Sequence, residues 1–495
     1  MKVGTVGLLA ALGMTLTSVS VWSLTPEASQ DPQGPVVGSD LVVADPGPAQ
    51  PVIRADFTAG STVMVEGRLG NGVMQAGRDN ETYLMARVFA DGSARASEAA
   101  PVNLAIVIDR SGSMKGKRME NAINAAKGTI AALNRGDVVS VIAYDAEAET
   151  LVQATTIDEI SRQRVTEALS NIRAVGDTCI SCAMDAAERA LANRDGMVNR
   201  VMLLTDGEPT RGMKDVSGFE RMSSRLRDKG ISVSTIGVDV DYNERILSAI
   251  ARESNGRHYF VENADSLTKI FEEERNALKQ TVAKDTELVV DLAPGIRVEK
   301  VFDRAFRQEG NKLIVPMGTV SGGEEKTLLV RLSVPRGAEG ERAVAKIDLA
   351  YQDLVERRRG SCNGELAALI SSDPAKLTPM DPFVAARVGR SETAQSLLDA
   401  NALFAQGRVE EAQKRLTAQL EELNRRRAEA QKTPNFEPKA DKDFDKQEAA
   451  LGAANSGFAQ PPPPPGAAPA KPAPETRKGK AQTRSNAEAA ADLAF

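Results

Sequence analysis

Two patterns of apolar residues alternate along residues 101–280: continuous runs, and residues spaced three or four apart. "VNLAIVID", "DVVSVIAYD", "RVMLLTDG" and "ISVSTIGVD" are near-continuous apolar runs, which are typical of strands buried on both faces of a sheet. Between the runs, apolar residues recur at spacings of three and four, a period that predicts helices. The first such set is Met119, Ile123, Ala126, Ile130 and Leu133. The alternation predicts an α/β domain with a doubly wound, mostly parallel sheet.

Shorter strand-like stretches flank this domain on both sides. "STVMVEGRL" and "ETYLMARVFA" lie within residues 51–100, and "TELVVDL", "KTLLVRLSV" and similar stretches lie within residues 281–358. Neither flank has many strands, so the economical interpretation is one β-sandwich that the α/β domain interrupts. Two separate small β-modules are the alternative.

The C-terminal part of the chain divides into a helical region and a Pro- and Ala-rich region. Residues 381–432 predict a helical hairpin that turns at Gly407 and resembles a single tetratricopeptide unit. One such unit cannot bury a continuous core, so the hairpin should pack on the body or on a partner. Residues 433–495 include the run Pro461–Pro465. We expect this tail to be disordered, because its apolar content is too low to offset the entropy of ordering.

The N-terminus indicates export. Residues 1–23 carry one lysine followed by an uncharged apolar stretch, which is typical of a signal peptide and is also long enough for an N-terminal anchor. Residues 24–50 are rich in Pro, Gly, Asp and Ser and predict a linker. We expect the bulk of the chain in the periplasm, the cell envelope or the extracellular space. Membrane contact would then occur only through an uncleaved N-terminal segment.

Composition narrows the classes of partner and site. The chain of 495 residues has a formal net charge of -6, which argues against a nucleic-acid partner. His258 is the only histidine, so a zinc site built from several histidines of one chain is excluded.

Carboxylates and hydroxyls cluster directly behind the apolar runs. Asp109 closes the first run and is followed by Ser111 and Ser113, Asp206 closes the third run, and Thr178 lies in the loop "AVGDTCISCAM". In open parallel sheets, ligands bind beyond the carboxyl ends of the strands. Oxygen ligands without imidazole suit a hard cation. The sequence therefore predicts a Mg²⁺ site, with Ca²⁺ or Mn²⁺ as alternatives.

These motifs resemble a known family. The D-x-S-x-S of Asp109, Ser111 and Ser113, the later Thr178 and the T-D-G that contains Asp206 resemble the von Willebrand factor type A (VWA) domain with its metal-ion-dependent adhesion site. The resemblance implies that the three hydroxyls contact the metal and that the two aspartates act directly or through water. It also implies that an acidic residue of a protein ligand completes the coordination.

The whole arrangement is similar to bacterial exported VWA proteins that are likened to calcium-activated chloride channels. Cys179 and Cys182 form a C-x-x-C directly after Thr178. In an exported protein this spacing favours a structural disulfide that stiffens the metal loop. Thiol redox catalysis and zinc binding are the less supported alternatives. Cys362 is left over.

Three functions follow from these features. The first is a non-enzymatic exported protein that binds a protein ligand through the metal, in adhesion or in the assembly of an envelope complex. The second is a Mg²⁺-dependent hydrolase, although the sequence has neither a G-x-x-x-x-G-K-[ST] loop nor an H-E-x-x-H helix, and its candidate general bases are Glu208 and His258. The third, a channel accessory subunit, lacks a further apolar span. We predict that the protein is not an enzyme.

Overall fold

The computed structural model describes residues 55–93, 100–191, 196–434, 436–459 and 473–494. The predicted signal or anchor segment (1–23), the linker (24–50) and the run Pro461–Pro465 therefore lie outside the described residues. Among the residues that are described, no helix is both long enough and apolar enough to cross a bilayer.

The described elements fall into four groups along the chain. The first flank contains β1 (Asp56–Gly60), β2 (Val63–Leu69), β3 (Val73–Gln75) and β4 (Asn80–Ala90). The strands of the central region are β5 (Val102–Asp109), β6 (Val138–Tyr144), β7 (Ala148–Thr156), β8 (Val198–Thr205), β9 (Ile231–Val238) and β10 (His258–Val261). Its helices are α1 (Lys117–Ala132), α2 (Glu159–Ser170), α3 (Ile180–Leu191), α4 (Val216–Asp228), α5 (Glu244–Glu253) and α6 (Leu267–Lys279).

The second flank and the C-terminal helices complete the order. The strands are β11 (Thr281–Leu292), β12 (Arg297–Phe302), β13 (Arg307–Glu309), β14 (Lys312–Ser321), β15 (Glu325–Val334), β16 (Gly340–Asp353) and β17 (Arg358–Ser371). The helices are α7 (Pro382–Ala405), α8 (Val409–Ala430), α9 (Pro438–Phe458) and α10 (Arg477–Ala494).

The central region is a doubly wound α/β domain, as predicted. Its six strands follow the order β10-β9-β8-β5-β6-β7, and all neighbours are parallel except β6 and β7. One face packs on α1, α2 and α6, and the other packs on α3, α4 and α5. All eight residues of β5 are buried because helices cover both faces of this inner strand. Since β5 lies between β8 and β6, its last residue, Asp109, stands in the middle of the carboxyl edge.

Strands from both flanks share one β-sandwich. The first sheet has the order β1-β2-β4-β15-β12 and the second β13-β14-β11-β16-β17-β3. β4 pairs with β15 at ten successive positions, from Glu325↔Phe89 to Val334↔Asn80. A single hydrophobic core joins the two sheets. The last long strand, β17, continues to Ser371, beyond the predicted boundary at 358, because the polar stretch after Arg358 pairs in register with β16.

The two ends of the central domain leave the sandwich side by side. The carbonyl of Ala90 accepts a hydrogen bond from the amide of Gly323 at 3.0 Å, and the carbonyl of Gln280 accepts one from the amide of Gly322 at 2.9 Å. Consecutive residues of one turn therefore hold both chain ends. Such proximity is the geometry in which domain insertion is tolerated.

The C-terminal region is more ordered than the sequence predicts. The hairpin of α7 and α8 turns at Gly407, whose φ is +78°. Residues 433–495 were expected to be disordered, and this expectation is wrong for 438–458 and 477–494, which form α9 and α10. Phe458 stacks on Phe404 with ring centroids 4.2 Å apart. Many of the other buried residues of this interface are alanines, so a segment with few large apolar side chains still packs as ordered helices.

Candidate metal site at the carboxyl edge of the central sheet

Asp109 is fixed by hydrogen bonds to both of its carboxylate oxygens. It is fully buried at the end of β5. Its Oδ1 accepts a hydrogen bond from the amide of Ser111 at 2.7 Å, and its Oδ2 accepts one from the hydroxyl of Thr205 at 2.5 Å. Thr205 ends the neighbouring strand β8, so the parallel register brings these two strand ends together. The carboxylate is therefore oriented before any ligand arrives.

Ser111, Ser113 and Asp206 form a continuous chain of hydrogen bonds. The two serine Oγ atoms lie 3.0 Å apart, and the Ser113 hydroxyl donates to Asp206 Oδ1 at 2.6 Å. A short 3₁₀ turn, Gly112–Met114, aims these hydroxyls toward the sheet edge, and the buried Met114 side chain anchors the turn.

Thr178 joins this group from the loop before α3. Its amide donates to the hydroxyl of Thr210 at 2.9 Å, and its carbonyl accepts from the amide of Thr210 at 2.9 Å. A Cβ atom added to Gly207 would lie 3.6 Å from Thr178 Oγ1 and 3.8 Å from Ser113 Oγ. The Thr178 and Ser113 hydroxyls thus border the same space above Gly207. The structure therefore brings together all five side chains that the sequence singled out.

Arg118 is a further member of the site that sequence reasoning missed. It lies in the first turn of α1, and its Nη1 donates to Asp206 Oδ2 at 2.8 Å and to the carbonyl of Ser113 at 3.1 Å. Its Nη2 contacts the carboxylate of Asp239, which directly follows β9. The available signal was the final Asp of the run "ISVSTIGVD", a third acidic strand end at the same edge of the sheet.

Burial opposes ionisation of both aspartates. It raises the pKa of Asp109 to about 6, although hydrogen bonds from Thr205 and Ser111 lower it. Burial also raises the pKa of Asp206, against the lowering effect of Ser113 and Arg118. Ionisation of these two buried carboxyl groups therefore costs free energy, and a nearby cation would favour their charged forms.

We expect Asp109→Asn to change how stability depends on pH in EDTA. Because the pKa of Asp109 rises from 3.8 to about 6 on folding, the folded chain binds more protons between these values, and stability falls as pH rises through them. The fall is about 3 kcal/mol at the stated shift, and the Asn variant should lack it. Thermal unfolding from pH 4 to 7.5 checks this. The unfolding midpoint of the variant, relative to that of the native chain, should rise with pH up to about pH 6.5. A constant difference across this range would contradict the prediction.

The C-x-x-C forms the predicted disulfide. Cys179 and Cys182 are bonded, with their Cα atoms 5.3 Å apart. The amide of Cys179 also donates to the carbonyl of Asp145 at 2.7 Å, so the residue that follows Thr178 is tied to the loop after β6. Cys362 is a free, partly buried cysteine on β17. The bridge thus stiffens the loop that carries the Thr178 hydroxyl.

The family model of the von Willebrand factor type A domain matches residues 103–273. These residues form a VWA domain. An uncharacterised protein of Synechocystis sp. is 26% identical over 289 residues, which are 56% of this chain and 66% of that protein. An uncharacterised protein of Escherichia coli is 27% identical over 268 residues, which are 52% of this chain and 46% of that protein. The chain therefore spans less than two thirds of the length of either relative.

A solved structure extends the likeness beyond the VWA domain. The von Willebrand factor type A protein from Catenulispora acidiphila matches with a TM-score of 0.65 and 19% identity, over 81% of this chain and 92% of that chain. At this identity the match concerns the fold alone. VWA domains are typically protein-interaction or adhesion modules.

The donor set suits a hard cation. It consists of the carboxylates of Asp109 and Asp206 and the hydroxyls of Ser111, Ser113 and Thr178, all oxygen ligands of the kind that Mg²⁺, Mn²⁺ and Ca²⁺ prefer. Among the described residues, no group of three or more His, Cys, Asp or Glu side chains is placed to hold a metal ion. A cation at this edge would therefore depend on the serine and threonine hydroxyls as well as on the two aspartates.

Proposed function

We propose that this chain is an exported, non-enzymatic protein whose VWA domain binds a protein ligand through a divalent cation, in adhesion or in the assembly of an envelope complex. The observation that carries the proposal is the convergence of Asp109, Ser111, Ser113, Thr178 and Asp206 at one sheet edge. The three hydroxyls would hold the cation directly, and the aspartates directly or through water. When bound, Mg²⁺, or Ca²⁺ or Mn²⁺ in its place, supplies an open position for a carboxylate oxygen of the ligand.

The disulfide supports the exported location. Disulfides persist in oxidising compartments such as the periplasm and the extracellular space. The Cys179–Cys182 bridge adjoins the site, so the same conditions that preserve it also keep the Thr178 loop stiff.

Of the two candidate general bases of a hydrolase, His258 is poorly placed. His258 is buried, its Nδ1 lies 2.9 Å from the Thr235 hydroxyl, and burial lowers its pKa to about 3. It is therefore unsuited to exchange protons with a substrate at the sheet edge. Glu208 is exposed beside the site and is the other candidate general base. Glu208→Gln consequently separates hydrolysis, which it should abolish, from ligand binding, which it should spare.

Capture from an envelope extract tests the proposal. The immobilised full chain is incubated with extract from the source organism in Mg²⁺, in EDTA, and as the Asp206→Ala variant. We expect a protein that is retained in Mg²⁺, released by EDTA and not captured by Asp206→Ala, and that Glu208→Gln still captures. Retention that persists in EDTA and in Asp206→Ala would remove the cation from the mechanism.

A further inference from the structure

The last helix lies against the VWA domain close to the candidate metal site. Arg477 pairs with Asp239 at 2.7 Å, and Lys480 pairs with Asp241 at 2.8 Å. One turn further along, Arg484 donates to the carbonyl of Tyr242 at 2.7 Å. Spacings of three and four residues place these cations on one face of α10. This basic face lies along the loop after β9 that carries Asp239 and Asp241, which we call the acidic loop.

Asp239 is shared between this helix and the site. Its Oδ1 accepts from Arg477 at 2.7 Å and from the amide of Val240 at 2.9 Å, and its Oδ2 contacts Arg118. Arg118 also holds Asp206 at 2.8 Å. Four charges therefore alternate in sign from the candidate metal ligand to the C-terminal helix: Asp206, Arg118, Asp239 and Arg477. Asp206 and Asp239 are buried, so the inner part of this row is screened less by solvent than a surface pair.

We infer that Arg118 couples the metal site to α10, so that cation binding and the docking of Arg477 oppose each other. This inference rests on the proposed function, because it requires a cation at Asp206. A guanidinium and a divalent cation on one carboxylate repel each other. Arg118 then shifts its pairing from Asp206 toward Asp239. There it competes with Arg477 for the same carboxylate, and by linkage the loss of Arg477 makes room for Arg118 and favours the cation.

The coupling acts on the first turns of α10 and leaves the rest of the helix in place. Beyond residue 484, the helix is held by α7 and by β10, whose Phe260 amide donates to Glu488 at 3.1 Å, and not by the acidic loop. Asn486 donates to the side chain of Asn401 at 2.9 Å, and the carbonyl of Leu493 accepts from Arg390 at 3.0 Å. Ala487, Ala490 and Leu493 are buried. Thr483 is also held by α7, because its carbonyl accepts from Asn401 at 2.8 Å. The first turn, residues 477–480, carries the ion pairs of Arg477 and Lys480, so it is the part that a bound cation loosens.

Calorimetric titration of the full chain with Mg²⁺ tests the coupling. Arg477 is well exposed, so its ion pair is modest, and we expect Arg477→Ala to tighten Mg²⁺ binding about two- to fivefold. Lys478→Ala is the matched control: Lys478 is an exposed cation of the same helix that makes no ion pair with the described residues. An equal gain in both variants would reflect general charge alone and would overturn the inference. In an Arg118→Ala background, Arg477→Ala should behave like Lys478→Ala.

Hydrogen exchange gives a second measure. Saturating Mg²⁺ should speed amide exchange in residues 477–480 and leave residues 486–493 unchanged. Unchanged or slower exchange in 477–480 would overturn the coupling while leaving the metal site intact. If Mg²⁺ binds none of these proteins, the proposed function fails and the coupling fails with it. The two failures are thereby distinguished.

Discussion

Asp206→Ala should lower the affinity of the chain for Mg²⁺ by about 100-fold or more. Loss of a residue that merely supports a metal ligand costs about 10- to 100-fold in affinity, and Asp206 would be a ligand itself. Its carboxylate also accepts the Ser113 hydroxyl at 2.6 Å, so the variant loses the partner that positions a second ligand. Calorimetric titration with Mg²⁺ measures the loss directly.

Glu208→Gln is the matched control for this experiment. Glu208 lies two residues after Asp206, is exposed and is outside the donor set. Its replacement removes the same charge, so the affinity of this variant for Mg²⁺ should change little. The fold of Asp206→Ala should persist in EDTA, because burial raises the pKa of Asp206 and its ionised form is costly in the metal-free chain. Mg²⁺ titrating Asp206→Ala with native affinity would rule out this aspartate as a ligand.

Residues 281–371 should not fold alone, whereas residues 101–280 should. The second flank loses β4, which pairs with β15 at ten positions. It also loses the apolar side chains that the first flank supplies to the core, among them Val63, Val65, Leu84, Ala86 and Val88. The VWA domain keeps its whole sheet and both helix layers. Circular dichroism melts should show a cooperative transition for 101–280 and none for 281–371.

A shortened chain that joins the two flanks directly completes this comparison. Because Ala90 and Gln280 bond to the consecutive residues Gly323 and Gly322, a short Gly-Ser linker can replace residues 91–280 without strain. This shortened chain should regain a cooperative transition. Cooperative unfolding of 281–371 by itself would instead show that the second flank is an independent module.

The core of the central sheet and the meeting of Asp109, Ser111, Ser113 and Asp206 were predictable because their signals are local, whereas Thr178, which lies between α2 and α3, was expected there from the family resemblance. The inner strands β5, β6, β8 and β9 are apolar runs, and Asp109 and Asp206 stand at the ends of two of them. The half-exposed edge strand β7 is not such a run and was not predicted. Parallel strands end at a common edge, so position along the chain was enough to predict that these residues meet. The disulfide was predictable for the same reason, since Cys179 and Cys182 lie one helical turn apart.

The parts that escaped prediction depend on contacts between distant segments. Arg118 looks like one of several cations on a helix surface, and only the fold shows that it bridges Asp206 and Asp239. The order of α9 depends on partners such as Phe404, which lies far from Phe458 in the sequence although the two rings stack. Composition measures the apolar content of a segment, whereas order depends on whether another part of the chain offers a matching surface.

The turn at Gly322 and Gly323 has a consequence for how this architecture could be inherited. A domain whose two ends are held by adjacent residues alters neither the spacing nor the pairing of the strands that it leaves and rejoins. A gene segment that encodes it could therefore be gained, lost or exchanged while the recipient protein stays folded. The VWA domain and the sandwich that carries it could then diverge at separate rates within one lineage.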